Sequence, residues 1–370
     1  AVDPAALIGA ADLDPAAGRM LRAVRRDGGR LLLEVHHLAV DAVSWPLLRA
    51  GLAGEPVAAP GTSFREWAHA LERAARERAG ELEYWQAVLD GPPVLLGDVA
   101  LGSSDTLGTL ELRTVRVPVP ALPAPRVNLQ DVLLAGLALA AGGDVLVELE
   151  GHGREEQLLP GADLSGTVGW FTTVRPVRLA ATDPRTALRR VRAQLRAAPD
   201  GGIGYGLLRH RNPETAAALA GRPRPPVLFN YLGRQDGEGL GGDAGDDLPV
   251  RHALSIEASI VDGALVIAAA YPRGAVAGDT VRGLLDRWAA ALPALADTDA
   301  LTPSDVLAAV GQGELDELAG RYPGLADVLP LTPLQEGLFY LHQLDPAGYA
   351  VQQLLDLDGQ PPGSSGSSHG

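Results

Sequence analysis

The stretch EVHHLAVDAVSW, residues 34–45, concentrates polar groups at the end of an apolar run. His36 and His37 stand side by side, Asp41 follows, and Ser44 and Trp45 close the segment. Polar groups placed there cost free energy unless each finds a partner or a task. The pattern fits either a satisfied buried network or acid/base chemistry. It is a poor metal site, because adjacent histidines on a strand point to opposite faces. A second cluster, VELEGHGRE at 147–155, brings Glu148 and Glu150 to the end of another apolar run. Period two puts both glutamates on one face, so alternation does not choose between them, while position at the strand end favours Glu150. Gly151 and Gly153 then allow a close backbone approach. GTVGWFTTVRPVRL (166–179), GGIGYG (201–206) and FNYLGR (229–234) complete the candidates. Asn230 is either an aimed hydrogen-bond donor or a sheet-edge amide. The glycine string follows no strand, which argues against a dinucleotide site.

The elements that must hold these groups can be read from periodicity. Residues 31–37 alternate as a strand, which puts His37 on the apolar face and His36 on the polar one. Ser44 is suited to cap a helix whose first turn tolerates Pro46. Residues 62–89 and 129–141 read as helices, 145–150 and 227–232 as strands. Residues 99–125 are strand-like and proline-rich, a candidate bridge between lobes. SIEASIVDGALVIAAAY is a hairpin turning at Asp262-Gly263. Residues 280–292 form an amphipathic helix. A helix starting at Asp183-Pro184 lines up Arg185, Arg189, Arg192 and Arg196 on one face. That face is either solvated or a docking stripe for an acidic partner.

Composition narrows the chemistry. The 370 residues carry a formal net charge of −15, which disfavours nucleic acid and anionic membranes as partners. There is no cysteine, and all 31 basic residues are arginine. Thiolate nucleophiles, zinc–thiolate sites and an internal Schiff base to a pyridoxal cofactor are therefore unavailable. The apolar runs are too short to span a bilayer, and the expected location is cytoplasmic. After residue 300 the texture shifts to a linker, and 360–370 is a low-complexity tail outside the fold.

Taken in order, HHxxxDxxSW, EGHGRE, TVGWFT, GxGYG and FNYLG resemble the epimerization domains of nonribosomal peptide synthetases, relatives of the condensation domains, over roughly residues 20–295. The resemblance implies an α/β fold of two chloramphenicol-acetyltransferase-like lobes, the first incomplete at its N-terminus. It divides the chain into a partial N-terminal lobe (1–118), a C-terminal lobe (119–300), a linker (301–330) and, in LPLTPLQEGLFYLHQ, the start of a condensation domain (331–359). It also implies a substrate, an aminoacyl or peptidyl thioester on the 4'-phosphopantetheine arm of an upstream carrier domain, with a condensation domain downstream as further partner. The domain itself is expected to bind no cofactor and no metal. The family's catalytic pair maps onto His37 and Glu150. His36, Asp41, Asn230, Tyr231, Arg154 and the Gly151 backbone become supporting or oxyanion groups, with Asp41 ordering the histidine loop through an arginine and Arg154 bracing Glu150. Trp170, Tyr205 and Ser44 are assigned to the substrate tunnel. Ala42 stands where the family usually has glycine. Condensation-type acyl transfer, with His37 positioning an amine, and an inactive carrier-binding fragment are the alternatives.

Overall fold

The computed structural model describes residues 13–25, 27–59, 61–91, 95–96, 99–118, 128–235, 245–296 and 301–344. Contacts divide the chain between residues 300 and 301.

The first unit is built on a six-stranded mixed sheet. Its strands are β3 (Leu110–Pro118), β4 (Val145–Gly151), β5 (Thr173–Leu179), β6 (Val227–Arg234), β7 (Leu254–Val261) and β8 (Ala264–Pro272), in the order β3-β8-β7-β6-β4-β5. β4, β6 and β7 run parallel at its centre, and the remaining pairs are antiparallel. The β7–β8 turn is the expected two-residue one. Asp262 and Gly263 both take positive φ, +50° and +72°, as a type I′ hairpin requires. β3 falls within the bridging segment 99–125 and forms the edge of this sheet, in register with β8 from Leu110 opposite Pro272 to Pro118 opposite Ala264. Residues 119–125, the end of that bridge, lie outside the described residues.

One sheet face packs on α4 (Leu129–Ala141), α5 (Pro184–Arg196) and α8 (Gly278–Ala296). Val145, Val147 and Leu149 of β4 point there with Val227, Phe229, Ile256 and Ala258. Gly136 lets Trp288 seat against α4, since a Cβ there would lie 2.7 Å from the indole Nε1. The arginine stripe of α5 is partly inside this layer. Arg192 is 4% exposed and pairs with Asp131 of α4 at 3.5 Å. The stripe is therefore neither a solvated face nor a free docking surface at Arg192.

The opposite face is covered only in part. Leu146 is sealed by Trp85 and Leu89 of α3 (Leu82–Leu89), Tyr205 and Leu208 of α6 (Ile203–His210) and Leu219 of α7 (Pro213–Ala220). The next two positions on that side of β4 are Glu148 and Glu150, so the apolar cover stops where the carboxylates begin. The expected helix over 62–89 is two, α2 (Phe64–Glu77) and α3, broken by a 3₁₀ turn at Ala79–Glu81. Ahead of them, β1 (Leu21–Arg25) and β2 (Leu31–Val35) form a two-stranded antiparallel sheet, followed by α1 (Ser44–Ala53).

The second unit is described from residue 301. Leu301, Val306 and Leu315 form its core, with Leu315 on α9 (Gln312–Arg321). The LTPLQEGLFYLHQ segment forms α10 (Pro333–Leu344), whose Leu334, Phe339, Tyr340 and Leu344 are exposed. The rest of the expected condensation start and the 360–370 tail lie outside the described residues.

Candidate active site

Strand β2 stops at Val35, two residues short of the expected His37. His36 turns the chain, its Nδ1 accepting the Leu38 N–H at 3.2 Å and opening a 3₁₀ turn over His37–Ala39. Strand alternation therefore does not set the histidine faces. His37 is exposed, and its ring sits 5.0 Å from that of Trp170. Trp170 is itself 41% exposed, so the two rings form an open wall.

Asp41 and Ser44 are the buried network, at 2% and 0% exposure. Asp41 Oδ1 accepts the Ser44 N–H at 2.8 Å and its hydroxyl at 2.7 Å. Ser44 therefore does not cap α1 by its side chain. It opens the helix while Asp41 takes the capping role. Nor does Ser44 line a tunnel, because its hydroxyl accepts from Gly169 N–H at 3.2 Å and from Arg154 at 3.1 Å. Asp41 also accepts the Phe171 N–H at 3.2 Å and the Arg154 guanidinium at 3.1 and 3.3 Å. His36, His37 and Asp41 thus do not converge as a metal site would require. Ala42 is exposed, so its methyl fits without crowding the buried network.

Arg154 is the bolt of this arrangement. It lies over the Phe171 ring at 4.0 Å and donates to Thr167 O at 2.9 Å and Leu164 O at 3.3 Å. It orders the histidine loop, as expected for Asp41's partner, and it does not brace Glu150. The same 154–171 segment is laced to Thr62. Thr167 Oγ1 donates to Thr62 O at 2.8 Å, and the Asp163 N–H to Thr62 Oγ1 at 3.0 Å. Gly153 makes the turn possible. Its φ is +66°, and a Cβ there would sit 1.8 Å from Phe171 O. The close approach that the glycines of EGHG permit is thus to the chain's own backbone. Gly151 lies in register with Thr173 at the strand end.

Glu150 stands on the polar half of the sheet face, half-buried and with no hydrogen bond or ion pair among the described residues. Burial pushes its carboxyl above the usual range. The Glu257 and Glu148 charges add to this, while His252 and His37 pull it down. Glu148 is differently placed, its Oε2 2.6 Å from His252 Nε2. Asn230 lies in register with Glu257 in the parallel β6–β7 pair and on the face opposite Phe229. Its amide is therefore on the carboxylate side. Tyr231 is not, for it packs against the helical core, where burial raises its phenol. Tyr205 is no tunnel residue either. It is 2% exposed, packs on Trp85 at 5.5 Å and accepts from Arg209 at 2.9 Å. Glu257 and His252 were missed by sequence reasoning. Glu257 left a signal, a charge among Ile256, Ala258 and Ile260 on the off-core side of a central strand. His252 left none.

The site thus holds an exposed imidazole, His37, and a half-buried carboxylate, Glu150, that has no hydrogen-bond or ion-pair partner among the described residues, on a mixed α/β sheet. Residues 14–308 match the Condensation domain family, and the chain belongs to it. The epimerization domain from the third module of tyrocidine synthetase B has a similar structure, with a TM-score of 0.63 at 28% identity, over 76% of this chain and 72% of that one. SgcC5 from Streptomyces globisporus, at 19% identity and a TM-score of 0.51 over 76% and 73%, shares the fold. Among curated proteins, chondramide synthase cmdD of Chondromyces crocatus is 37% identical over 70% of this chain. Bacitracin synthase 3 of Bacillus licheniformis is 33% identical over 73%. The chain spans only 8% and 5% of those two proteins.

Proposed function

We propose that this unit epimerizes the Cα of an aminoacyl or peptidyl thioester within a nonribosomal peptide synthetase. The substrate is delivered on the phosphopantetheine arm of a carrier domain. The observation that carries the reading is Glu150, a half-buried carboxylate with raised proton affinity and no partner among the described residues, near enough to His37 for the imidazole to act on its charge. A carboxylate tuned upward is a better base at neutral pH than an ordinary one. It takes the Cα proton, leaving the thioester enolate. The His37 imidazolium returns a proton to the opposite face, and exchange with water resets both groups. Asn230, on the same sheet face, is the candidate donor to the enolate oxygen. The 28% identity to an epimerization domain supports the same reading.

The second reading is acyl transfer between two carrier-bound substrates, favoured by the family name itself. There His37 would position the attacking amine, and Glu150 would have no task. The test supplies a carrier loaded with an L-aminoacyl thioester together with a second carrier bearing a free amine. Appearance of the D-aminoacyl thioester with no dipeptide supports epimerization. Dipeptide with retained configuration overturns it.

A further inference from the structure

β4 carries two carboxylates two residues apart on one face, about 7 Å from each other along the strand. They have opposite fates. Glu148 is held by His252 at 2.6 Å, with the two side chains 18% and 13% exposed. Glu150 is held by nothing among the described residues. We propose that His252 is a positioning residue for the reaction: by capturing the Glu148 carboxylate, it leaves Glu150 as the one carboxylate at this strand end that exchanges protons with substrate. This rests on the epimerization reading above.

The pair works in two ways. A mostly buried carboxylate that lost its partner would be costly to leave unpaired, and Glu148 would seek another donor near Glu150. Its charge would act on Glu150 without the opposing imidazole, since Glu148 and His252 push Glu150 in opposite directions. The other groups facing Glu150 are Glu257 on β7 and His37. The Glu148 charge also acts on Tyr205 and His210 of α6, and Arg209 of α6, Arg224 ahead of β6 and, at His210, Arg251 ahead of β7 act on those same two groups. His252 is distinguished from these arginines by direct contact.

The experiment follows deuterium uptake at Cα of a carrier-bound L-aminoacyl thioester as a function of pH, using the full chain. His252→Ala should displace the acid limb of the rate to higher pH, so that exchange on the acid side falls while the plateau changes little. His252→Gln, which keeps a donor for Glu148 without a charge, should displace it less. Adding Glu148→Gln to His252→Ala should return the limb to the wild-type position or below, and Glu148→Gln alone should lower it. An unchanged profile in His252→Ala overturns the proposal, as does a displaced limb that Glu148→Gln fails to reverse. If His252→Ala proves unfolded by thermal melting, the His252→Gln and Glu148→Gln profiles still decide, for the proposal requires them to move in opposite directions. Glu150→Gln is the control: should it still exchange, the assignment of the base falls, whatever His252 does.

Discussion

Replacing Arg154 by methionine would remove the bolt between the histidine loop and the sheet. Methionine keeps the apolar stem over Phe171, so the change isolates the guanidinium. Asp41, 1% exposed at its side chain, would keep three donors, the Ser44 N–H and O–H and the Phe171 N–H. It would lose both contacts to Arg154, and Thr167 O and Leu164 O would lose their donor as well. Breaking a buried pair on one side costs about 3–5 kcal/mol. The surviving donors put this case near the lower end, at about 3 kcal/mol. Against an unfolding entropy of ~0.6 kcal/mol/K for a unit of this size, the thermal midpoint should fall by about 5 °C. Asp41→Asn should also destabilise, yet adding it to Arg154→Met should cost less than the sum, because no uncompensated charge remains. The assay is a thermal double-mutant cycle with Cα exchange measured on each variant. Exchange should fall in Arg154→Met even well below its midpoint, since His37 rides on the loop. A loss under about 1 kcal/mol, or additive singles with exchange intact, would refute the idea that the loop is held by Arg154.

Further outcomes follow from the same geometry. Gly153→Ala should fail to fold or melt far below wild type, because it meets the Phe171 carbonyl at a positive φ. Gly151→Ala, with its nearest neighbour 3.5 Å away, should fold, and comparing their melting curves checks both. Glu150 has raised proton affinity in the fold. Its contribution to stability is therefore present below the ordinary glutamate range and is lost as pH rises through the raised value. Glu150→Gln should accordingly be more stable than wild type at neutral pH, with the advantage vanishing in acid, as denaturant titrations at several pH values would report. Arg192→Glu should lower the thermal midpoint rather than slow carrier binding, because its site faces Asp131 under α4. An unchanged midpoint would return Arg192 to the surface.

The sheet was legible where its sequence alternates against a single core. β4, β6 and the β7–β8 hairpin fall within a residue or two of expectation because the core-facing positions are apolar without interruption. The histidine loop was not legible in that way. His36 captures a backbone N–H two residues on, a local bond that ends the strand and that period two does not encode. The chemistry-bearing types were visible, but their tasks depend on partners far away in sequence. Arg154 looked like a neighbour of Glu150 in sequence, yet its side chain reaches Asp41, 113 positions away. The resemblance assigns Tyr205 to the substrate tunnel, whereas tertiary packing buries it against Trp85. Arg192 reads as part of a polar face until α4 supplies Asp131. His252 has no local pattern at all, and only the parallel pairing of β4, β6 and β7 brings its segment to Glu148.

The central claim is that Glu150 moves the Cα proton. The direct measurement is mass-resolved deuterium incorporation at Cα of a carrier-bound L-aminoacyl thioester in deuterated water, with wild type, Glu150→Gln and Glu148→Gln matched for folded fraction. Loss of a positioned acid/base group typically costs about 10²–10⁴-fold. Wild type should therefore take up deuterium as the D-thioester forms, Glu150→Gln should be slower by at least about 10²-fold, and Glu148→Gln should retain exchange. Configuration inverted without label in wild type, or Glu150→Gln exchanging as fast as wild type, would contradict the account.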